Sequence, residues 1–390
     1  MSKGCLFFCS LFILGFSFVT YQLILFIDLL KENPLVQPEK CTLVRGIMGP
    51  EDIVNWHGIG LTGSDDRVKL WYGGDKTPIE QVPNGAIYAI YPSNETQISF
   101  KQLKLHNFPE EIAFHPHGMA LYPHKLYVIN HAYSKGGERI EVFDTECCDG
   151  SEGQVKLIYN HSLILPQRFG AFNDILTISE NEILITEWIS PPHSVKGTHN
   201  SETIWLDLQR VFNLIFVKKT HVNYCKSNEK HELTCKELEI TAHQSNNGIA
   251  YDRKDLLIVA KPTEKKVVLY RIVEKNGDKD LVYLRDIVVN FVIDNIDYDP
   301  DTNTFYLGVF GRTLDFLIAE YEMWTTGELT SNDAMKSGVV AIKIEENIDN
   351  MKPEVLYFQK ELNGVSVATK FKDYILMGSP FVDGISVCLP

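Results

Sequence analysis

From residue 41 onward, apolar and polar positions alternate in short runs instead of recurring at helical spacing. AIYAIYP at 86–92, KLYVIN at 125–130, RIEVFD at 139–144 and EILITEW at 182–188 set the pattern. LLIVAK at 256–261, KVVLYRI at 266–272, TFYLGVF at 304–310, GVVAIKI at 338–344 and YILMGSP at 374–380 continue it. β-branched and aromatic side chains dominate these runs, and turn formers separate them, as in an all-β chain.

A repeat lies over the alternation. Six times a small or polar residue leads into an apolar strand start: HGIGLTG (57–63), PHGMALYP (116–123), FNDILTIS (172–179), NNGIAYD (246–252), DNIDYDP (294–300) and NGVSVAT (363–369). A second strand follows most of them after a short turn. The intervals are irregular, but each accommodates a four-stranded blade with its loops, so six copies predict a six-bladed β-propeller. In that fold the innermost strands line a central channel, and residues from distant sequence positions converge on its axis. The strand starts carry Glu51 and Asp52 (just upstream of the first repeat), His117, Asn173 and Asp174, Asn247, and Asp294 and Asn295. Carboxylate and amide oxygens around one axis are hard-cation ligands, of which calcium takes about six to eight. Any single Asn-Gly or Asn-Asp is an ordinary turn former; four in register point to a cation site.

Two segments break the β pattern. Residues 5–26 contain no charged side chain, a length suited to crossing a bilayer. The run continues to Leu30 without an evident cleavage site, so residues 1–33 read as an uncleaved signal-anchor rather than a cleaved signal. Lys3 precedes the run and Asp28 and Glu32 follow it, which orients the body to the lumenal or extracellular side. The second segment, 201–219, predicts a helix over 202–217 with Ser201 as N-cap. Ile204, Leu208, Val211, Phe212 and Ile215 share a face, and Trp205, Leu214 and Phe216 widen it. Such a helix either packs on the top of the propeller, covers a site, or touches a membrane.

Composition sharpens the compartment. The 390 residues are 44% hydrophobic, enough for a large core, and the net charge of −14 argues against a nucleic-acid partner. A Cys41–Cys388 bridge would tie the two ends of the propeller domain, 41–390, and suits an oxidising compartment. Cys225 and Cys235 could close a local loop, while the adjacent Cys147 and Cys148 have no evident pairing. Asn94 and Asn160 head glycosylation sequons if the body is lumenal. The chain would thus be membrane-anchored in the secretory pathway, or secreted if the leader is cleaved.

Several motifs carry nothing. GIGLTG at 58–63 has the dinucleotide spacing, but SDDRVKLWYGG after it does not read as a helix. DYDPDTNT at 297–304 begins like an EF-hand loop but has Thr302 at the glycine position and Gly308 at the glutamate position, so it reads as a hairpin turn. No serine-hydrolase elbow, Walker loop or zincin motif occurs.

Taken together, these segments resemble the paraoxonase family of calcium-dependent lactonases and arylesterases, from about residue 40 to the end. The likeness is carried by CTLVRGIMGPEDI, FHPHGMALY, YVINHAYSKGGERIEVF, FNDILTI, NNGIAYD, VIDNIDYDPDTNTFYLGVF and the terminal ISVCLP. The resemblance implies two calcium ions on the axis. One would be held by Glu51, Asn173, Asn247, Asp294 and Asn295, the other by Asp52, Asp174 and the carbonyl of Met119. It implies His117 as the base, His131 behind it, no role for His115, and a small lactone or ester as substrate. The chain departs from the family across 190–240, which is longer, and at Phe310-Gly311-Arg312, where a His-Pro loop is usual. Substrate scope is where those departures bear.

Overall fold

The computed structural model describes residues 17–72, 79–93, 97–146, 155–166, 171–192, 204–329, 335–360 and 362–389. Six antiparallel sheets surround one axis as a six-bladed propeller. The first blade runs Ile53–Trp56, Ile59–Ser64, Ala86–Ser93, Gln97–Gln102 from the inside out. The second runs Pro116–Tyr122, Lys125–Ala132, Gly137–Glu146, Lys156–Ile164, with the short strand Leu105–His106 added in parallel at its edge. Innermost strands of the remaining blades are Ala171–Ser179, Ile249–Tyr251, Val292–Asp299 and Val367–Phe371. HGIGLTG proves to be the second strand of its blade rather than the first. His57 and Gly58, both at positive φ, make the two-residue turn that precedes it.

Every blade is covered on both faces, which explains strands such as Leu256–Lys261 that are buried at all positions. Each of the six interfaces between blades has its own apolar cluster. Phe305, Ile258 and Phe358 fill the one between the fourth and fifth blades, and Phe143, Leu61 and Met119 the one between the first and second. Each such side chain contributes about 1.5–3 kcal/mol by leaving water. The apolar material therefore lies between blades, leaving the hub free for polar groups.

Closure joins the chain ends. Cys41–Met48 pairs antiparallel with Asp383–Cys388 as the outermost strand of the sixth blade, with Cys41 directly opposite Cys388. A disulfide joins them across a separation of 347 residues. A second disulfide, Cys225–Cys235, locks the hairpin of the third blade.

Among the described residues, four α-helices decorate the rings. Helix α1 covers 17–27. Among the described residues no helix is long and apolar enough to cross a membrane; the first sixteen residues of the expected anchor lie outside them. Helix α2, Arg67–Tyr72, corrects the non-helical reading of SDDRVKLWYGG. The dinucleotide motif still fails, because Gly60 and Gly63 lie inside a paired strand. Helix α3, Ile204–Phe216, occupies the expected segment, and Ser201 lies outside the described residues. Helix α4, Thr313–Thr326, was not anticipated, since its apolar residues follow no clean stripe.

Candidate functional site

The strand starts meet at the hub. Glu51, Asp52, His117, Met119, Asn173, Asp174, Asn247 and Asn295 are buried there, and Asp294 is partly exposed. Two carboxylates staple neighbouring blades together. Asp52 accepts the N–H of Ile53 at 2.8 Å and that of Met119 in the next blade at 2.7 Å. Asp174 accepts Ile175 N–H at 2.7 Å and Ile249 N–H, again in the next blade, at 2.8 Å. Glycine is required where the strands crowd: a Cβ on Gly118 would lie 2.4 Å from the Asn173 carbonyl oxygen, and one on Gly248 2.4 Å from that of Asp294.

Four side-chain oxygens in this hub are buried without a hydrogen-bond partner: Glu51 Oε2, Asn173 Oδ1, Asn247 Oδ1 and Asn295 Oδ1. Their other atoms are engaged where partners exist; Asn295 Nδ2, for instance, donates to Glu51 Oε1 at 2.7 Å. Leaving one such group unsatisfied costs about 1–3 kcal/mol, so four together demand an explanation. Burial, then the charge of Glu51, pushes Asp52 and Asp294 well above the usual carboxylate range. Burial, then Asp52, does the same to Asp174. Burial also acts to raise Glu51, but the adjacent His117 and Arg67 outweigh it and hold that carboxyl low.

The histidines form a chain. His117 Nδ1 lies 2.7 Å from His131 Nε2, and His117 Nε2 faces Glu51 Oε1 at 3.4 Å. Behind His131, its Nδ1 is 3.1 Å from Glu138 Oε1 and 3.1 Å from the Tyr133 hydroxyl. The Trp71 ring of α2 packs edge-on against His117 at 5.7 Å. Burial pushes Glu138 up to about 8. His115, given no role by the resemblance, is hydrogen-bonded: its Nδ1 lies 3.1 Å from Asp65 Oδ2, which in turn lies 3.5 Å from Arg67 Nη1. Arg67 also donates to the Pro116 carbonyl, between the two histidines.

Sequence reasoning missed Glu138, Tyr133, Asp65 and Arg67. The SDDR run looks like a solvated turn, and only the packing of α2 buries it. For Glu138 a signal existed, because it stands directly opposite His131 in the hairpin of the second blade.

Of the arrangements left open for helix α3, packing of its apolar face on the propeller is not the one found. Arg210 and Asn213 face the propeller, donating to the carbonyls of Pro191, Pro192 and Ser190 at 2.7–3.1 Å. Trp205, Leu208, Val211 and Phe212 point outward. At the Phe310-Gly311-Arg312 departure, the Gly311 carbonyl accepts Lys31 Nζ at 2.6 Å and Arg312 pairs with Asp315, so this loop docks the segment after α1. Asn160 is exposed on the fourth strand of its blade. Asn94, Cys147 and Cys148 lie outside the described residues.

The family model described as Arylesterase matches residues 34–387. Serum paraoxonase/lactonase 3 of Oryctolagus cuniculus is 25% identical over 358 residues, covering 89% of this chain and 88% of its own. Serum paraoxonase/arylesterase 2 of Gallus gallus is 24% identical, covering 90% and 88%. Among solved structures, a member of the DUF4221 family from Bacteroides vulgatus superposes over 91% of this chain and 99% of its own, with a TM-score of 0.44 and 11% identity.

Proposed function

From its membership of the arylesterase family, which makes the chain a carboxylic ester hydrolase, we propose that it opens lactones and aryl esters at the hub of the propeller. His117 is the general base, His131 its partner, and two calcium ions the resident metals. The observation that carries this reading is the set of four buried, unpartnered oxygens on Glu51, Asn173, Asn247 and Asn295. All are oxygen donors, as a hard cation requires, and with Asp294 they make up the ligand set of one ion. Asp52, Asp174 and the Met119 carbonyl would hold the other. When bound, the first ion supplies Lewis acidity, polarising the ester carbonyl and stabilising charge on its oxygen.

The chain's own residues handle the proton. His117 Nε2, facing the ligand cluster, takes a proton from the attacking water. Its Nδ1 stays bonded to His131, so the positive charge is shared by two rings. An imidazole suits this task because its ordinary pKa lies near neutral pH. The proton then passes to the alkoxide or aryloxide oxygen as the acyl C–O bond breaks, and no charge accumulates. The rings of Trp71 and Tyr133 flank the pair and limit water around it.

The decisive experiment is turnover of an aryl ester and a medium-chain lactone by the purified protein, with metal analysis, before and after EGTA. Calcium in the protein and turnover lost on chelation support the reading. A metal-free protein with full turnover overturns it. The Cys41–Cys388 and Cys225–Cys235 disulfides suit work in the secretory pathway or outside the cell. The outward apolar side of α3 supports contact with a lipid surface, where apolar esters collect. Flotation with phosphatidylcholine vesicles, weakened in a Trp205→Ser, Phe212→Ser variant although the N-terminal apolar segment still holds lipid, is the expected result; equal flotation of both proteins removes that contact.

A further inference from the structure

Glu138 lies behind the histidine pair, and the reaction as drawn does not use it. It is the cross-strand partner of His131 in the hairpin Lys125–Ala132 and Gly137–Glu146, so sheet geometry brings the two side chains together. Its Oε1 is 3.1 Å from His131 Nδ1 and also accepts the Phe172 N–H at 3.3 Å. Phe172 is the residue before Asn173, so one carboxylate touches both the histidine chain and a strand of the oxygen cluster.

The consequence concerns protons. A neutral imidazole carries one N–H, and the 2.7 Å contact between His117 Nδ1 and His131 Nε2 holds one proton between them. Above the value of about 8 to which burial pushes it, Glu138 is ionised and only accepts, so it claims the proton on His131 Nδ1. His131 Nε2 is then bare and accepts the His117 Nδ1–H. That leaves the lone pair of His117 on Nε2, the nitrogen facing Glu51. The opposite arrangement puts a proton on His117 Nε2 and removes the base. The Tyr133 hydroxyl, 3.1 Å from the same His131 Nδ1, both donates and accepts and so cannot make the choice.

We infer that Glu138 is the positioning residue that sets the tautomer of both histidines and thereby turns His117 Nε2 into a base. This rests on the assignment of His117 and His131 above. Once His117 holds the proton taken from water, the carboxylate also stabilises the positive charge shared along the chain. No net proton is gained or lost in the cycle.

The test is ¹⁵N-histidine NMR with steady-state kinetics on the calcium-loaded full chain at pH 9, above the value of about 8 to which burial pushes Glu138. His131 signals are assigned by their loss in His131→Asn. In the wild type His131 carries its proton on Nδ1. In Glu138→Gln it shifts toward Nε2, and kcat falls at least about 100-fold with KM changed less than about twofold, a smaller loss than the roughly 10⁴-fold on neutralising a triad aspartate. Glu138→Asp recovers about tenfold of that loss by restoring the charge. A wild-type His131 protonated on Nε2 overturns the inference, as does Glu138→Gln with kcat within about threefold of wild type. The first reading needs no variant to fold. His117→Gln, run in parallel, separates the failures: if it is inactive while Glu138→Gln is not, only Glu138 loses its role. If His117→Gln keeps full turnover, the histidine assignment itself falls, and this inference with it.

Discussion

His115 and His117 stand two positions apart on one segment and are equally withdrawn from water, at 1% and 2% exposure, yet their surroundings are opposite. His115 meets Asp65 and, through it, Arg67, a carboxylate and a guanidinium of opposite charge; the guanidinium also donates to the Pro116 carbonyl, and His115 Nε2 and Arg67 Nε stay without hydrogen-bond partners. His117 meets a second imidazole on one side and an oxygen cluster lacking hydrogen-bond partners on the other. The difference teaches that burial alone says nothing about role. A buried histidine whose neighbours balance each other is a fastener; one that connects to unbalanced groups is placed for chemistry.

The largest break in this contrast is His117→Gln. Turnover is expected to fall about 1,000-fold or more with calcium content unchanged, as for loss of a general base; a fall of less than about tenfold would count against the assignment. Next is Asp65→Asn, which strips Arg67 of its counter-charge in a dry environment. Urea denaturation should show a loss of about 3–4 kcal/mol, while the folded fraction keeps its KM.

The pH dependence of stability after chelation is a smaller effect whose sign is distinctive. Asp52, Asp174 and Asp294 are raised in the folded hub by burial and neighbouring acids. Between the unfolded value near 4 and those raised values, the folded state holds more protons than the unfolded one, so stability of the metal-free protein falls as pH rises. Scanning calorimetry after EGTA treatment is expected to show Tm dropping by about 5 °C from pH 5 to pH 7, and the calcium-loaded protein should lack that drop. The smallest effect is His115→Gln, which keeps a polar side chain beside Asp65: about 1 kcal/mol of stability and turnover within about threefold. If His115→Gln instead matched His117→Gln, the contrast between the two histidines would dissolve.

The legible part of the molecule was the part written in short-range order. Alternation with a period of two, in Lys125–Ala132 or Thr304–Phe310, gives a strand whatever lies around it. The repeated strand starts gave six sheets, and they pointed to Glu51, Asp52, Asn173, Asp174, Asn247, Asp294 and Asn295 because radial repetition sends equivalent positions to one axis. Helix α4 was missed because Thr313–Thr326 has apolar residues all around it. Which face of α3 turns inward was left open for a deeper reason. Periodicity shows that a helix has two faces, but the propeller surface offers three bare carbonyls, of Ser190, Pro191 and Pro192, and these recruit Arg210 and Asn213 inward.

The amino-acid order by itself determined the strands, the number of blades, the polar character of the hub and the cysteines able to close the ring, since each follows from local spacing or composition. Only the tertiary structure decided that Asp65 and Arg67 are buried, that Glu138 lies behind His131, and which oxygens are left without donors. Those outcomes depend on groups far apart in sequence sharing a water-free space, where every polar atom must find a partner or stay unsatisfied, and no local pattern encodes that count.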